Sequence, residues 1–138
     1  MPLLERLSFS LEKPLMEKLE KLVKAGNYEN RSEYIRDMIR SRLVEKEWEK
    51  DEDALGTITL VYNHHQRGLG EKLTRIQHAH HTNVLAATHV HMSHDLCAEV
   101  IITKGRAAKI QKLADALGKQ KGVYHAALSM SSTGDRLA

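Results

Sequence analysis

The chain has one cysteine, two prolines and an aromatic content of only 4% over 138 residues. The lone Cys97 cannot close an internal disulfide, which excludes a small stapled scaffold and agrees with a reducing compartment. Scarce aromatics mean that Leu, Ile, Val and Ala must build the core, helped by contacts between subunits. No apolar run approaches the roughly 20 residues that a membrane helix needs. The opening MPLLERLSFS has neither the basic stretch nor the long apolar segment of a secretory signal. A cytoplasmic protein with no membrane partner is therefore expected. Gly-rich phosphate loops, nucleophile elbows and His-Glu-x-x-His motifs are also missing, so an enzyme is not expected. Net charge is +3, too small by itself to argue for nucleic acid, but an acidic block at 44–56 separates two mildly basic segments.

What is present begins with a period-two pattern. Residues 6–11, RLSFSL, place Leu7, Phe9 and Leu11 on one face of a strand and Arg6, Ser8 and Ser10 on the other. Pro14 suits the first turn of a helix whose stripe is Leu15, Leu19, Leu22 and Val23, and Gly26-Asn27 stops it. Asn30 or Ser32 can cap a second helix carrying Ile35, Met38, Ile39 and Leu43. One strand and two helices bury too little surface to stand alone, and a single short strand lacks a partner. Two intertwined copies that pair their strands remove both problems.

Residues 45–54 read as the frayed end of that helix running into a solvated linker. The pattern then becomes βαββαβ, the ferredoxin-like split arrangement. The strands are expected at Thr57–Tyr62, Val84–Met92, Leu96–Thr103 and Val123–Met130. The helices carry Leu69, Leu73 and Ile76, then Ile110, Leu113 and Leu117 within Arg106–Lys119. Helices on one face of such a sheet leave the other face for another subunit.

Eight of nine histidines lie between residues 64 and 94, far more than a core requires. His89 and His91 are two apart on a strand, so they point the same way, about 6–7 Å apart at the backbone. Counted straight along the strand, Val84, Ala86, Val90 and Met92 form the helix-facing set, which puts both histidines on the open face. A hairpin brings Cys97 beside His91. His78 lies about 180° from Leu69 on its helix, so it points away from its own core and towards a neighbouring subunit. Three imidazoles and one thiolate suit copper, nickel or zinc. Four protein ligands leave no open position for a substrate. His64, His65, His80 and His94 read as loop or helix-end residues, and His125 as structural.

The N-terminal pattern suggests a second chemistry. A paired ribbon bearing Arg6, Ser8 and Ser10 is the right size for the DNA major groove, where arginine reads guanine. Asn30, Arg31 and Ser32 at a helix N-terminus could clamp a phosphate. The plain alternatives are the wet face of an edge strand and an ordinary helix cap. Arg36, Arg40 and Arg42 read as a solvated helix face.

Taken in order, Gly26, Tyr28, Asn30-Arg31-Ser32-Glu33 and Ile35-Arg36-Asp37, followed by Gln77-His78, Thr88-His89-Val90-His91-Met92 and Cys97, resemble the nickel-responsive regulators of the NikR family from about Leu4 to Met130. The resemblance implies an α+β chain: a ribbon-helix-helix (βαα) domain at 1–48, a linker at 49–55, a ferredoxin-like or ACT-like βαββαβ domain at 56–132, and a disordered tail at 133–138. It implies a homotetramer, a dimer of dimers that represses by binding double-stranded operator DNA. The implied metal is Ni(II), one per chain, in a square-planar site of His89, His91 and Cys97 with His78 from another subunit. Tyr62 and Glu99 match positions that support those ligands, and Arg6, Ser8 and Ser10 match base-reading positions. Glu33 and Asp37 match a secondary cation site. Ser8 and Ser10 stand where familiar members often have threonine, and Ala79 interrupts a possible histidine run. A regulator responding to copper or cobalt, and a metal storage or delivery protein, are the competing readings.

Overall fold

The computed structural model describes residues 3–138, and packing divides the chain between Arg40 and Ser41, inside its second helix. In the first unit, residues 3–12 form neither helix nor strand within the single chain. The expected strand at 6–11 has no ladder partner here, and its apolar side chains are open: Leu7 is 86% and Phe9 56% exposed. Helix α1 spans Lys13–Ala25 with Pro14 in its first turn. Asn27, not Gly26, takes the left-handed conformation that ends it (φ 56°), while the Tyr28 amide donates back to the Val23 carbonyl.

Helix α2 spans Arg31–Glu49, which corrects the expected fraying over 45–54 and the linker at 49–55. Two observations explain the continuation. Arg42 pairs with Glu45 and Glu49, and Lys46 with Glu49, so the acidic run is neutralised along the helix surface. Trp48 packs on Ala54, Ala107 and Ile110, and Glu47 is buried, so the last turns of α2 have a tertiary anchor. Asp51 then takes a left-handed conformation (φ 54°), and the Glu52 amide donates to the Glu47 carbonyl. Only residues 50–52 separate α2 from the next strand.

The second unit continues with β1 (Asp53–Asn63), α3 (Leu69–Ala79), β2 (Val84–His91), β3 (Leu96–Arg106), α4 (Ala107–Gly118) and β4 (Val123–Met130). The strands form one antiparallel sheet in the order β2-β3-β1-β4. Alternate residues of β1, namely Ala54, Gly56, Ile58, Leu60 and Tyr62, are buried beneath the helices. Cys97, Ile101 and Thr103 of β3 lie on the same face, and Leu69 and Leu73 of α3 with Leu113 and Leu117 of α4 close the core over them. On the opposite face Ile102 is 39% and Val90 44% exposed. Residues 131–138 form no helix or strand, yet the Ser131 amide donates to the Leu55 carbonyl and Arg136 pairs with Glu52.

Strand β2 departs from the straight count. Val84 lies opposite Thr103, but Ala87 lies opposite Ile101, His89 opposite Glu99 and His91 opposite Cys97. One extra residue, Leu85, therefore sits in β2, and it inverts the alternation beyond it. Opposed residues share a face, so His89 and His91 lie on the helix-bearing face with Cys97, not on the open one. The expected apolar set is corrected accordingly. Val84 alone of that set packs on the core, while Val90 and Met92 are exposed.

Candidate metal centre

β2 is an edge strand, and the α3/α4 layer covers β1 and β3 without enclosing its far end. His89 and His91 are consequently exposed, although they share a face with the core. Cys97 is fully buried beside them. Its Sγ lies 3.3 Å from His91 Nδ1, and one ligand atom from each of His89, His91 and Cys97 falls within 4.8 Å of the others. This arrangement follows from register: cross-strand pairing sets His91 against Cys97, and the two-residue step brings His89 alongside.

Tyr62 reaches the same place from β1, where it pairs with Cys97. Its hydroxyl lies 3.2 Å from His89 Nε2 and 3.3 Å from Nδ1, so the phenol O–H can donate to whichever nitrogen is unprotonated. Burial, followed by the negative charge of Glu99, pushes the Tyr62 phenol up to about 12. Glu99 sits opposite His89 and accepts a 2.9 Å hydrogen bond from Gln77 Nε2 of α3. Gln77 was not singled out as a functional residue by its spacing. The available signal was a polar side chain four residues beyond Leu73, beside the stripe residue Ile76 on the core-facing side of α3.

His78 is exposed on α3 and does not join the His89/His91/Cys97 cluster within this chain; its ring lies 6.2 Å from that of His81. His80 Nδ1 meets the Ile76 carbonyl at 2.9 Å, a helix-end contact, and His125 is exposed on β4. The donor set fits nickel chemistry: a thiolate and imidazoles in reach of one point suit borderline-soft divalent ions. His89, His91 and Cys97 are the residues that would hold such an ion from this chain.

The other expected residues lie in the first unit. Arg6, Ser8 and Ser10 are exposed along residues 3–12. Asn30 is an N-cap: its Oδ1 accepts the Glu33 amide at 2.9 Å. The cap leaves the Arg31 and Ser32 amides ahead of the first helical hydrogen bonds, where helix donors lack intrahelical partners. Arg31 pairs with Glu20. Glu33 pairs with Arg36 at 2.7 Å, and Asp37 accepts a hydrogen bond from the Tyr28 hydroxyl, so both carboxylates of the expected secondary cation site are engaged within the chain.

A βαββαβ sheet with a thiolate–imidazole cluster at its edge, preceded by two helices and an unpaired N-terminal segment, defines a metal-binding regulatory domain joined to a ribbon-helix-helix module. Residues 55–131 match the family model of the NikR C-terminal nickel-binding domain, and residues 5–46 match that of the ribbon-helix-helix proteins of the copG family. The chain belongs to the NikR family. It is 49% identical over 135 residues to a candidate nickel-responsive regulator of Desulfotalea psychrophila, covering 98% of this chain and 99% of that one. A similarly described protein of Geobacter sulfurreducens is 47% identical and covers 96% of each chain. In fold alone, an uncharacterized Thermotoga maritima protein is similar, with a TM-score of 0.51 and 15% identity over 56% of this chain and 96% of that one. The family is regulatory and not enzymatic. Among the described residues no helix is long and apolar enough to cross a membrane.

Proposed function

We propose that the protein is a nickel-dependent transcriptional repressor that acts in the cytoplasm as a homotetramer, a dimer of ribbon-helix-helix dimers. The observation that carries this reading is the convergence of His89, His91 and Cys97 within one coordination radius in the nickel-binding domain. One Ni(II) per chain is held by those three residues together with His78 from a second subunit. The exposed position of His78, outside its own chain's cluster, supports that division. When bound, the ion supplies a bond between ligands of two subunits, which makes assembly geometry depend on it.

The chain's own residues prepare this arrangement. Tyr62 fixes the His89 ring by hydrogen bonding, and Gln77 ties α3, the helix bearing His78, to Glu99 beside His89. In the first unit, paired N-terminal segments from two chains present Arg6, Ser8 and Ser10 to the base edges of operator DNA, and Asn30, Arg31 and Ser32 hold the flanking phosphates through helix-start amides. Residues 1–48 and 56–132 are the two working parts. Glu33 and Asp37 form a secondary cation site only if they give up Arg36 and Tyr28.

The test is nickel titration of the apo-protein, read by ultraviolet absorption and by DNA affinity at constant salt. Wild type should develop thiolate-to-nickel charge-transfer bands that saturate at about one ion per chain, and Cys97→Ala should not. Double-stranded DNA selected from a random pool should bind more tightly with nickel, and by linkage should tighten nickel by the same factor. Binding that ignores Cys97, or DNA affinity that ignores nickel, would overturn the reading. A stronger DNA response to copper or cobalt would reassign the metal. Sequence-independent DNA binding would favour storage or delivery.

A further inference from the structure

The last turns of α2 carry a charge pattern that opposes a helix. Residues 45–53 hold six acidic against two basic residues, and Glu47 and Glu49 lie at the helix C-terminus, the negative end of its dipole. Two sets of contacts fasten this end. The first ties the connector to α4: Asp51 Oδ1 accepts the Ala108 amide at 2.8 Å, and the Glu52 carbonyl accepts the Ala107 amide at 3.0 Å. The second comes from the C-terminal tail. The Ser131 amide continues the β1–β4 ladder onto the Leu55 carbonyl, and the Ser131 carbonyl accepts the Trp48 indole N–H. The Ser132 hydroxyl donates to Glu47 Oε1 at 3.2 Å, and Arg136 pairs with Glu52. Elsewhere the end of α2 is not closed down. A groove of about 570 Å³ runs between Trp48 and the Ala107, Ala108 and Gln111 side chains of α4.

We propose that residues 131–137 form a releasable strap. Closed, it holds the last turn of α2 on the sheet; open, it lets that turn unwind and lengthens the connector that joins α2 to β1. Three features favour release. Glu47 is 5% exposed, yet its Oε2 has no hydrogen-bond partner among the described residues, so opening gives a buried carboxylate oxygen the water it lacks. Asp51 sits in the left-handed region (φ 54°), which a longer connector relaxes. Arg136 and Glu52 are 60% and 31% exposed, so their pairing is weak and screened by salt. Against these, opening uncovers Trp48 and gives up the Ser131–Leu55 hydrogen bond, which keeps the strap closed at rest. None of the metal ligands lies on it. The regulatory consequence rests on the proposed function: with the strap open, a longer connector passes less of the nickel-driven ordering to the DNA-reading segment.

The experiment is amide hydrogen exchange of the full chain, with Ser132→Ala/Arg136→Ala and Glu47→Met beside wild type. The Lys50 and Glu52 amides, which donate to the Lys46 and Glu47 carbonyls, report the last turn of α2. In the double variant they should exchange about tenfold faster, while the amides of β1 and β3 keep the wild-type rate. Glu47→Met removes the unpartnered oxygen at similar shape, so it should slow the same amides. Equal rates at residues 50–52 in wild type and double variant, acceleration shared by β1 and β3, or faster exchange in Glu47→Met would overturn the strap. Nickel stoichiometry should be unchanged in the double variant, and the factor by which nickel tightens DNA should fall; an unchanged factor would overturn the regulatory consequence. No nickel effect on DNA in wild type would remove the proposed repressor and leave the strap, which exchange alone decides.

Discussion

Replacing Tyr62 by phenylalanine should change how stability depends on pH more than it changes stability itself. The phenol is 2% exposed, and its folded value is pushed up to about 12 from the 10.0 of a free tyrosine, first by burial and then by the charge of Glu99. Above the free value the unfolded chain sheds this proton while the folded chain keeps it. The contribution is therefore intact below about pH 10 and disappears as pH rises towards the folded value. At about pH 11 the loss is on the order of 1 kcal/mol. Tyr62→Phe removes that loss. At neutral pH it forfeits only the hydrogen bond to His89, about 0.5–1.5 kcal/mol, because the exposed imidazole can turn to water. Urea unfolding of the metal-free protein, followed by circular dichroism at about pH 8 and about pH 11, tests this. The variant should be slightly less stable at the lower pH and should draw level with wild type at the higher one. Equal alkaline losses in both proteins would refute the argument.

Gly56→Ala should destabilise the second unit by roughly 1–3 kcal/mol, read as a lowered melting temperature. Its new Cβ would lie 2.9 Å from Ile110 Cγ2, 3.1 Å from Thr103 Oγ1 and 3.2 Å from Trp48 Cη2. Leu117→Ala removes a fully buried side chain between α4 and the sheet and should cost about 2–5 kcal/mol in urea unfolding; a loss well below 1 kcal/mol would contradict the packing described. Truncation after Met130 removes the Ser131 carbonyl that accepts the Trp48 indole N–H at 2.9 Å and the Ser132 hydroxyl that donates to Glu47. Trp48 is the only tryptophan, so its fluorescence should shift to the red, and an unchanged spectrum would show that the tail does not cover it.

Legibility in the sequence followed the range of the forces involved. The βαββαβ order, the expected Val123–Met130 strand and the start of β3 at Leu96 could all be read, because each depends on local apolar periodicity. Two features could not. The end of α2 depends on Trp48 finding Ala107 and Ile110 some sixty residues away, so the acidic run 45–53 looked like solvated chain. The face of His89 and His91 depends on a single inserted residue, Leu85, which composition does not announce. The convergence of His89, His91 and Cys97 was still legible, because a two-residue spacing survives inversion of the whole strand.

The two units differ in how much of their folding a single chain can complete, and this bears on the proposed switch. The second unit closes its own core: Ile58, Leu60, Ile101, Ile110, Leu113 and Leu117 are all fully buried without a partner. In the first unit Val23 is the only buried apolar residue among those described, while Met38 is 50% and Ile39 55% exposed. In the proposed assembly its stability comes from a second copy, at whatever protein concentration that requires. His89, His91 and Cys97 stand on the self-sufficient sheet, so the ordering entropy of three ligands is met by folding alone. In the proposed site only His78 has to be brought from elsewhere. In the proposed assembly, metal affinity is thus set mostly within one chain, and the part that depends on subunit arrangement is confined to one imidazole. That division lets a tightly held ion bias the quaternary arrangement without the arrangement having to exist before the ion is captured.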